Sequence, residues 1–112
     1  MREKLLVINA DDLGLSAGVN RGIFEAHLGG IVTSASLMTR WPFATEAAER
    51  AKALPRLGVG LHLDFSEWAI VEGEWQTVYE VVNLDDRAAV KDEVERQVSD
   101  FLRLMGDRKS VV

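Results

Sequence analysis

Leu5-Leu6-Val7-Ile8-Asn9-Ala10-Asp11-Asp12 decides the fold: it is an apolar run, broken only by Asn9, that stops at two adjacent acids. A run of that kind suits a strand covered on both faces, as in a parallel sheet flanked by helices. Reading outward, Ser16 is the N-cap of a predicted helix to about Leu28, with Val19, Ile23, Phe24 and Ala26 on its apolar side and Gly29-Gly30 as its stop. Ile31–Met38 reads as a second strand, β-branched at its start. Phe43, Ala47, Ala51 and Leu54 recur at helical spacing, with a Glu46/Arg50 pair at i, i+4 and Pro55 as the stop. Leu57–Leu63 reads as a third strand that ends in polar groups, His62 and Asp64.

From Phe65 to Asn83 the pattern fades, because Trp68, Trp75 and Tyr79 stand among acids and glycine without a period; the expectation is a loop with a short strand near Gln76–Val81. A long helix then runs from an N-cap at Asp85 to Met105, with Val90, Val94, Val98, Phe101 and Met105 as its packing stripe and Gly106 just past its end. Strand, helix, strand, helix, strand, helix is the order of an α/β fold with right-handed crossovers and a parallel β-sheet.

The 112 residues are 47% hydrophobic and 28% charged, which sets a ceiling of one domain across residues 1–112. No cysteine is present, so disulfides and thiolate metal sites are excluded, and a cytoplasmic setting is expected. No apolar run approaches the length of a membrane span or a signal peptide, so no membrane partner is expected. Thirteen Lys plus Arg against eighteen Asp plus Glu, with no basic cluster longer than Arg108-Lys109, argue against nucleic acid.

In parallel α/β architectures ligands gather at the carboxyl ends of strands. Those ends here carry Asn9-Ala10-Asp11-Asp12, the Thr33, Ser34, Ser36 and Thr39 series, and His62-Leu63-Asp64. Adjacent carboxylates repel, and a divalent cation would settle them: one Asp holds the metal while its neighbour stands beside the metal's water and takes its proton. His62, expected beside the first strand, could add a neutral imidazole, and Asp64 at i+2 a further ligand or an orienting group. The plainer readings are a turn and helix cap for the acids and a satisfied strand-end histidine for His62. His27, near the end of the first helix, is assigned to the last carbonyls and the helix dipole rather than to a metal. Trp41, Trp68 and Trp75 could stack on a sugar or cover the core.

Leu6-Val7-Ile8-Asn9-Ala10-Asp11-Asp12-Leu13-Gly14-Leu15-Ser16, then Gly18-Val19-Asn20-Arg21-Gly22-Ile23, then Gly30–Met38, then Val59-Gly60-Leu61-His62-Leu63 together resemble the start of a YdjC-like carbohydrate deacetylase. The resemblance covers residues 4 to about 106. It implies a deformed (β/α) barrel, here partial, that removes the acetyl group from an N-acetylated sugar such as a chitooligosaccharide with magnesium or zinc. By position it makes Asp11 the general base and Asp12 and His62 metal ligands. The family pattern continues into a histidine-rich strand and a complete barrel of roughly 250 residues. No histidine follows His62 here, so a truncated form is expected. Exposed sheet edges would favour association with a second copy or a complementing chain. Two other classes compete: a phospho-receiver domain with Asp64 as acceptor, and a non-catalytic remnant that binds sugar or a partner chain.

Overall fold

The first two strands begin late in their apolar runs, at Asn9 and Ser34, and the third covers Gly58–Leu61, the middle of its run. In the computed structural model, which describes residues 2–106, the order is β1 (Asn9–Leu13), α1 (Ala17–Leu28), β2 (Ser34–Leu37), α2 (Ala44–Lys52), β3 (Gly58–Leu61), β4 (Ser66–Val71), β5 (Glu74–Glu80) and α3 (Arg87–Met105). The first three strands form a parallel sheet in the order β1-β2-β3. His62 therefore extends a strand beside β2, not beside β1 as the sequence suggested. The fold is α/β, with one parallel sheet and three helices. Among the described residues, no helix is long and apolar enough to cross a membrane.

Register explains how the sheet divides its two faces. Ala10, Ala35 and Val59 stand opposite one another, as do Leu37 and Leu61. Leu13, Ala35, Leu37 and Val59 are buried in one core with Ile23 and Phe24 of α1, the alanines of α2, and Leu104 and Met105 of α3. The alternate positions carry Asn9, Ser34 and Gly58 in one row and Ser36 and Gly60 in the next. The strand run is thus packed on one face and polar on the other, which corrects the two-sided burial expected from its hydrophobicity. Pairing begins where Ile8 accepts from Thr33 N at 2.9 Å. Leu5, Leu6 and Val7 lie outside it and are 70–86% exposed.

Ser16 caps α1 as expected, its hydroxyl accepting from Val19 N. Ala44, Ala47, Ala48 and Ala51 are all but fully buried, so small side chains bring α2 close to the sheet. Arg50, expected beside Glu46, lies over the ring of Phe24, 4.7 Å from its centroid.

The segment expected to be mostly loop is a β-hairpin. β4 and β5 pair antiparallel across a two-residue turn, and Glu72 (φ 51°) and Gly73 (φ 80°) both take positive φ. That is the turn geometry whose twist matches paired strands. Its sequence signal was weak because Glu-Gly is not the usual Asn-Gly or Asp-Gly. Exposed Trp68, Ile70, Val71, Trp75 and Val78 also erase any alternation.

Helix α3 is capped by Asp86, one residue later than expected, whose Oδ1 accepts from Ala89 N at 3.1 Å. Its buried positions are Glu93, Gln97, Leu104 and Met105, while Val98, assigned to the packing stripe, is 40% exposed. The stripe holds at its carboxyl end, where Met105 is buried and Phe101 packs on the core, while in the preceding turns Glu93 and Gln97 take the buried positions through their mutual hydrogen bond and the bonds of Gln97 to Asp64.

Candidate active site

The two acids reach one rim because β1 is irregular there. Pairing steps from Ala10 opposite Ala35 to Leu13 opposite Leu37, so β1 carries one extra residue, and Asp12 takes φ 67°. A bulge of this kind re-aims side chains at a strand end, and Asp tolerates the left-handed region better than most residues. Gly14 (φ 98°) completes the turn; a Cβ there would meet Met38 O at 3.0 Å. Behind the turn, buried Asn20 accepts from Gly14 N at 2.7 Å and donates to Phe43 O at 3.1 Å. It ties the loop after β1 to the loop after β2. A polar residue between Val19 and Ile23 was the available signal, and it carried no assigned role.

Across the polar face the side chains form a chain of contacts. Ser34 Oγ donates to Asn9 Oδ1 at 2.7 Å, and Asn9 Nδ2 donates to Asp11 Oδ1 at 2.8 Å. Ser36 Oγ lies 3.4 Å from Asp11 Oδ1 and 2.9 Å from His62 Nδ1. Asp12 Oδ1 is 3.7 Å from the same His62 nitrogen. One hydroxyl hydrogen cannot serve both Asp11 and His62. With Ser36 donating to Asp11, the imidazole carries its hydrogen on Nδ1 and donates to Ser36. With Nδ1 deprotonated, Ser36 donates to it instead. Asp11, Asp12 and His62, the three site residues read from the sequence, thus stand together, with Ser36 as a link that the sequence reading left unassigned. Among the described residues, no group of three or more His, Cys, Asp or Glu side chains is placed to hold a metal ion.

Asp12 and His62 open into a cleft of about 220 Å³ whose far wall includes Asp64 and Tyr79. Asp64 is 4% exposed and fully engaged. Its Oδ2 accepts from Arg40 and from Trp41 Nε1, both at 3.0 Å, and its Oδ1 from the Tyr79 hydroxyl at 2.5 Å. Gln97 brackets its backbone, accepting from Asp64 N at 2.9 Å and donating to Asp64 O at 2.8 Å. Burial, and then the neighbouring Asp64 carboxylate, push the Tyr79 hydroxyl well above its ordinary range, so it stays a donor. A carboxylate held this way is neither a free metal ligand nor an accessible phosphoryl acceptor; of the roles the sequence left open for Asp64, the orienting one fits its contacts. It is an anchor that joins β3, the hairpin, the loop after β2 and α3 around the cleft.

The sequence model for the YdjC-like protein family matches residues 5–109. The chain belongs to the YdjC-like family. A carbohydrate deacetylase of Vibrio cholerae serotype O1 is 48% identical over 69 residues, covering 62% of this chain and 27% of that protein. One from Halalkalibacterium halodurans is 36% identical over 102 residues, covering 82% of this chain and 43% of that protein. The chain therefore spans less than half the length of these relatives. A crystal structure of an Enterococcus faecalis V583 protein named for cellobiose-phosphate cleavage superposes with a TM-score of 0.66 and 29% identity, over 88% of this chain and 43% of that one. Membership makes this YdjC-like chain kin to carbohydrate deacetylases, which are hydrolases.

Other assignments resolve by position. His27 Nδ1 donates to Val32 O at 2.7 Å, a carbonyl beyond α1 rather than one of the last carbonyls of the helix that the sequence suggested. Trp41 is half-buried against Tyr79, ring centroids 5.4 Å apart and edge-on, with Arg40 5.0 Å from its ring. Trp68 and Trp75 stand on the hairpin, 53% and 68% exposed.

Proposed function

We propose that this YdjC-like chain carries part of a metal-dependent deacetylase site that hydrolyses the N-acetyl group of an N-acetylated sugar such as a chitooligosaccharide. The three-stranded sheet is read as part of a (β/α) barrel whose polar inner face is the row of Asn9, Asp11, Ser34 and Ser36. The observation that carries the reading is the convergence of Asp11, Ser36, Asp12 and His62 on one strand-end rim, with Asp12 3.7 Å from the His62 nitrogen. A carboxylate oxygen and an imidazole nitrogen suit magnesium or zinc, and two ligands of so small an ion lie about 3 Å apart, so a modest side-chain rotation closes the gap. Asp12 and His62 would hold the cation, which when bound supplies an acidified water and a charge that polarises the acetamide carbonyl.

The chain's own residues do the rest. Asn9 and Ser36 both engage Asp11 through Oδ1, which leaves Oδ2 to receive the proton released as the amide is attacked. If His62 takes up the cation through Nδ1, the single lone pair of that nitrogen is used and its contact with Ser36 is given up, which leaves the Ser36 hydroxyl to donate to Asp11 alone. Leu15, Met38 and Leu63 give the cleft an apolar lining against which an acetyl methyl can rest. Exposed Leu5, Leu6 and Val7 support association with a second copy or a complementing chain.

Two measurements test this. Acetate release from N,N′-diacetylchitobiose should disappear in Asp11→Asn while magnesium or zinc uptake, followed by calorimetry, persists. Asp12→Ala and His62→Ala should each weaken that uptake at least tenfold. Undiminished acetate release by Asp11→Asn, or uptake unchanged in both ligand variants, would overturn the assignments.

A further inference from the structure

Two uncovered apolar surfaces lie at opposite ends of the parallel sheet. At the carboxyl end, beyond β3, Trp68 stands opposite Thr77 and Ile70 opposite Trp75, so Trp68, Ile70 and Trp75 share one face of the hairpin, each more than half exposed. At the amino end, where the chain enters the strands, Leu28, Ile31, Val32, Thr33 and Arg56 line a cleft of about 550 Å³. Thr33 Oγ1 accepts from Ile8 N at 3.0 Å, which sets exposed Leu5, Leu6 and Val7 at that same end. With Leu28 and Ile31 they make an apolar floor with a hollow in it. Each surface offers about 400–600 Å² of apolar area, the upper range for a lone chain.

Their charges are opposite. Between Ser66 and Glu80 the hairpin carries Glu67, Glu72, Glu74 and Glu80 and no Lys, Arg or His. Arg56 and His27 line the floor cleft and no acid does, while Arg2 and Lys4 precede Leu5 with Glu3 as the one acid among them. Among the described residues, none of the four hairpin acids, nor Arg56, Arg2 or Lys4, has an ion-pair partner. Two hairpins meeting face to face would gather carboxylates around one contact, and two floors would gather cations, so symmetric pairing of either surface is opposed. A hairpin against a floor joins apolar to apolar and acid to base, and the separation of the two ends means that the contact comes from another copy. We propose that the hairpin of one copy docks, through Trp68, Ile70 and Trp75, on the floor formed by Leu5, Leu6, Val7 and Ile31 of a second copy. This head-to-tail contact deepens the association drawn above from Leu5, Leu6 and Val7, and needs neither the cation nor the sugar. One contact removes about 1,000 Å² in total, the lower bound of specific interfaces, so it is weak and concentration-dependent. A pair keeps one free hairpin and one free floor, so growth continues past two copies unless a ring closes.

The test mixes two variants of the full chain, each broken on one surface. Ile70→Glu with Trp75→Ser breaks the hairpin face, and Ile31→Glu with Arg56→Glu breaks the floor. All four side chains are exposed, so far-ultraviolet circular dichroism should match the parent. Sedimentation equilibrium over a concentration series reads the mass. The parent should grow past two copies as concentration rises, and each variant alone should associate at least tenfold more weakly. Their equimolar mixture should regain the parent's affinity yet stop at one copy of each, because only one intact hairpin and one intact floor can meet. A parent that stays a single chain, or a mixture that associates no better than either variant, would overturn the proposal. Association kept by the hairpin variant and lost by the floor variant would mean floor against floor, and the reverse hairpin against hairpin; each rejects the head-to-tail contact, and the first leaves the association through Leu5, Leu6 and Val7 standing. Cation uptake and acetate release are measured apart from mass, so this proposal and the deacetylase reading fail separately.

Discussion

Replacing Asp64 by alanine removes the acceptor for three donors at once, at a residue that is 4% exposed. The Arg40 contact is discounted, because its side chain is 33% exposed and water takes over much of its solvation, leaving about 1 kcal/mol. The Trp41 indole and Tyr79 hydroxyl each lose a charge-assisted bond in a half-buried setting, about 1–1.5 kcal/mol apiece. The Gln97 bracket survives, since it grips the Asp64 backbone rather than its side chain. The sum is about 3–4 kcal/mol. In urea, with a slope of about 1.5 kcal/mol per molar for a chain of this size, the unfolding midpoint should fall by about 2–2.7 M. Tyr79→Phe keeps the ring against Trp41 and should cost about 1–1.5 kcal/mol. The double variant should cost less than the sum of the two, because both single changes delete the same bond. A midpoint change under about 0.7 M, or strict additivity, would refute the view of Asp64 as the anchor of the cleft wall.

Tyr79 is the chain's single tyrosine, so phenolate absorbance near 295 nm reads it alone. Its ionisation should be delayed well above the ordinary value near 10 and fall back in Asp64→Asn. Because the folded form holds this proton more tightly, the associated stability is complete below the unfolded value and is lost as pH rises beyond it. Urea midpoints that hold steady from pH 9 upward would contradict that. Gln97→Leu, at a side chain 1% exposed that satisfies both backbone groups of Asp64, should destabilise by about 2–3 kcal/mol, measured by the same unfolding curves. Asp12→Gly relieves the positive φ, so stability should stay within about 1 kcal/mol of the parent while cation uptake falls. A large loss of stability would mean that Asp12 serves the turn rather than a ligand.

Local chemistry determined what the sequence could tell. The apolar run ending in Asp11-Asp12, the serine cap at Ser16, the glycine stops and the strand-end His62 each depend on neighbours within a few residues, so the alternation of the first three strands with the helices and the placing of Asp11, Asp12 and His62 at strand ends were legible. The tertiary structure decided what depends on contacts across 20 or more residues. Pairing of β1 with β2 left Leu5–Val7 outside the sheet, and the order β1-β2-β3 placed Ser36, not a direct contact, between Asp11 and His62. Gln97 stands 33 residues from Asp64, yet their two-way hydrogen bonding gives a polar side chain a buried place on α3 that its apolar stripe did not assign. A hydrophobic pattern records which side chains avoid water, whereas a buried polar group is settled by the partner it meets, and only the folded chain supplies that partner.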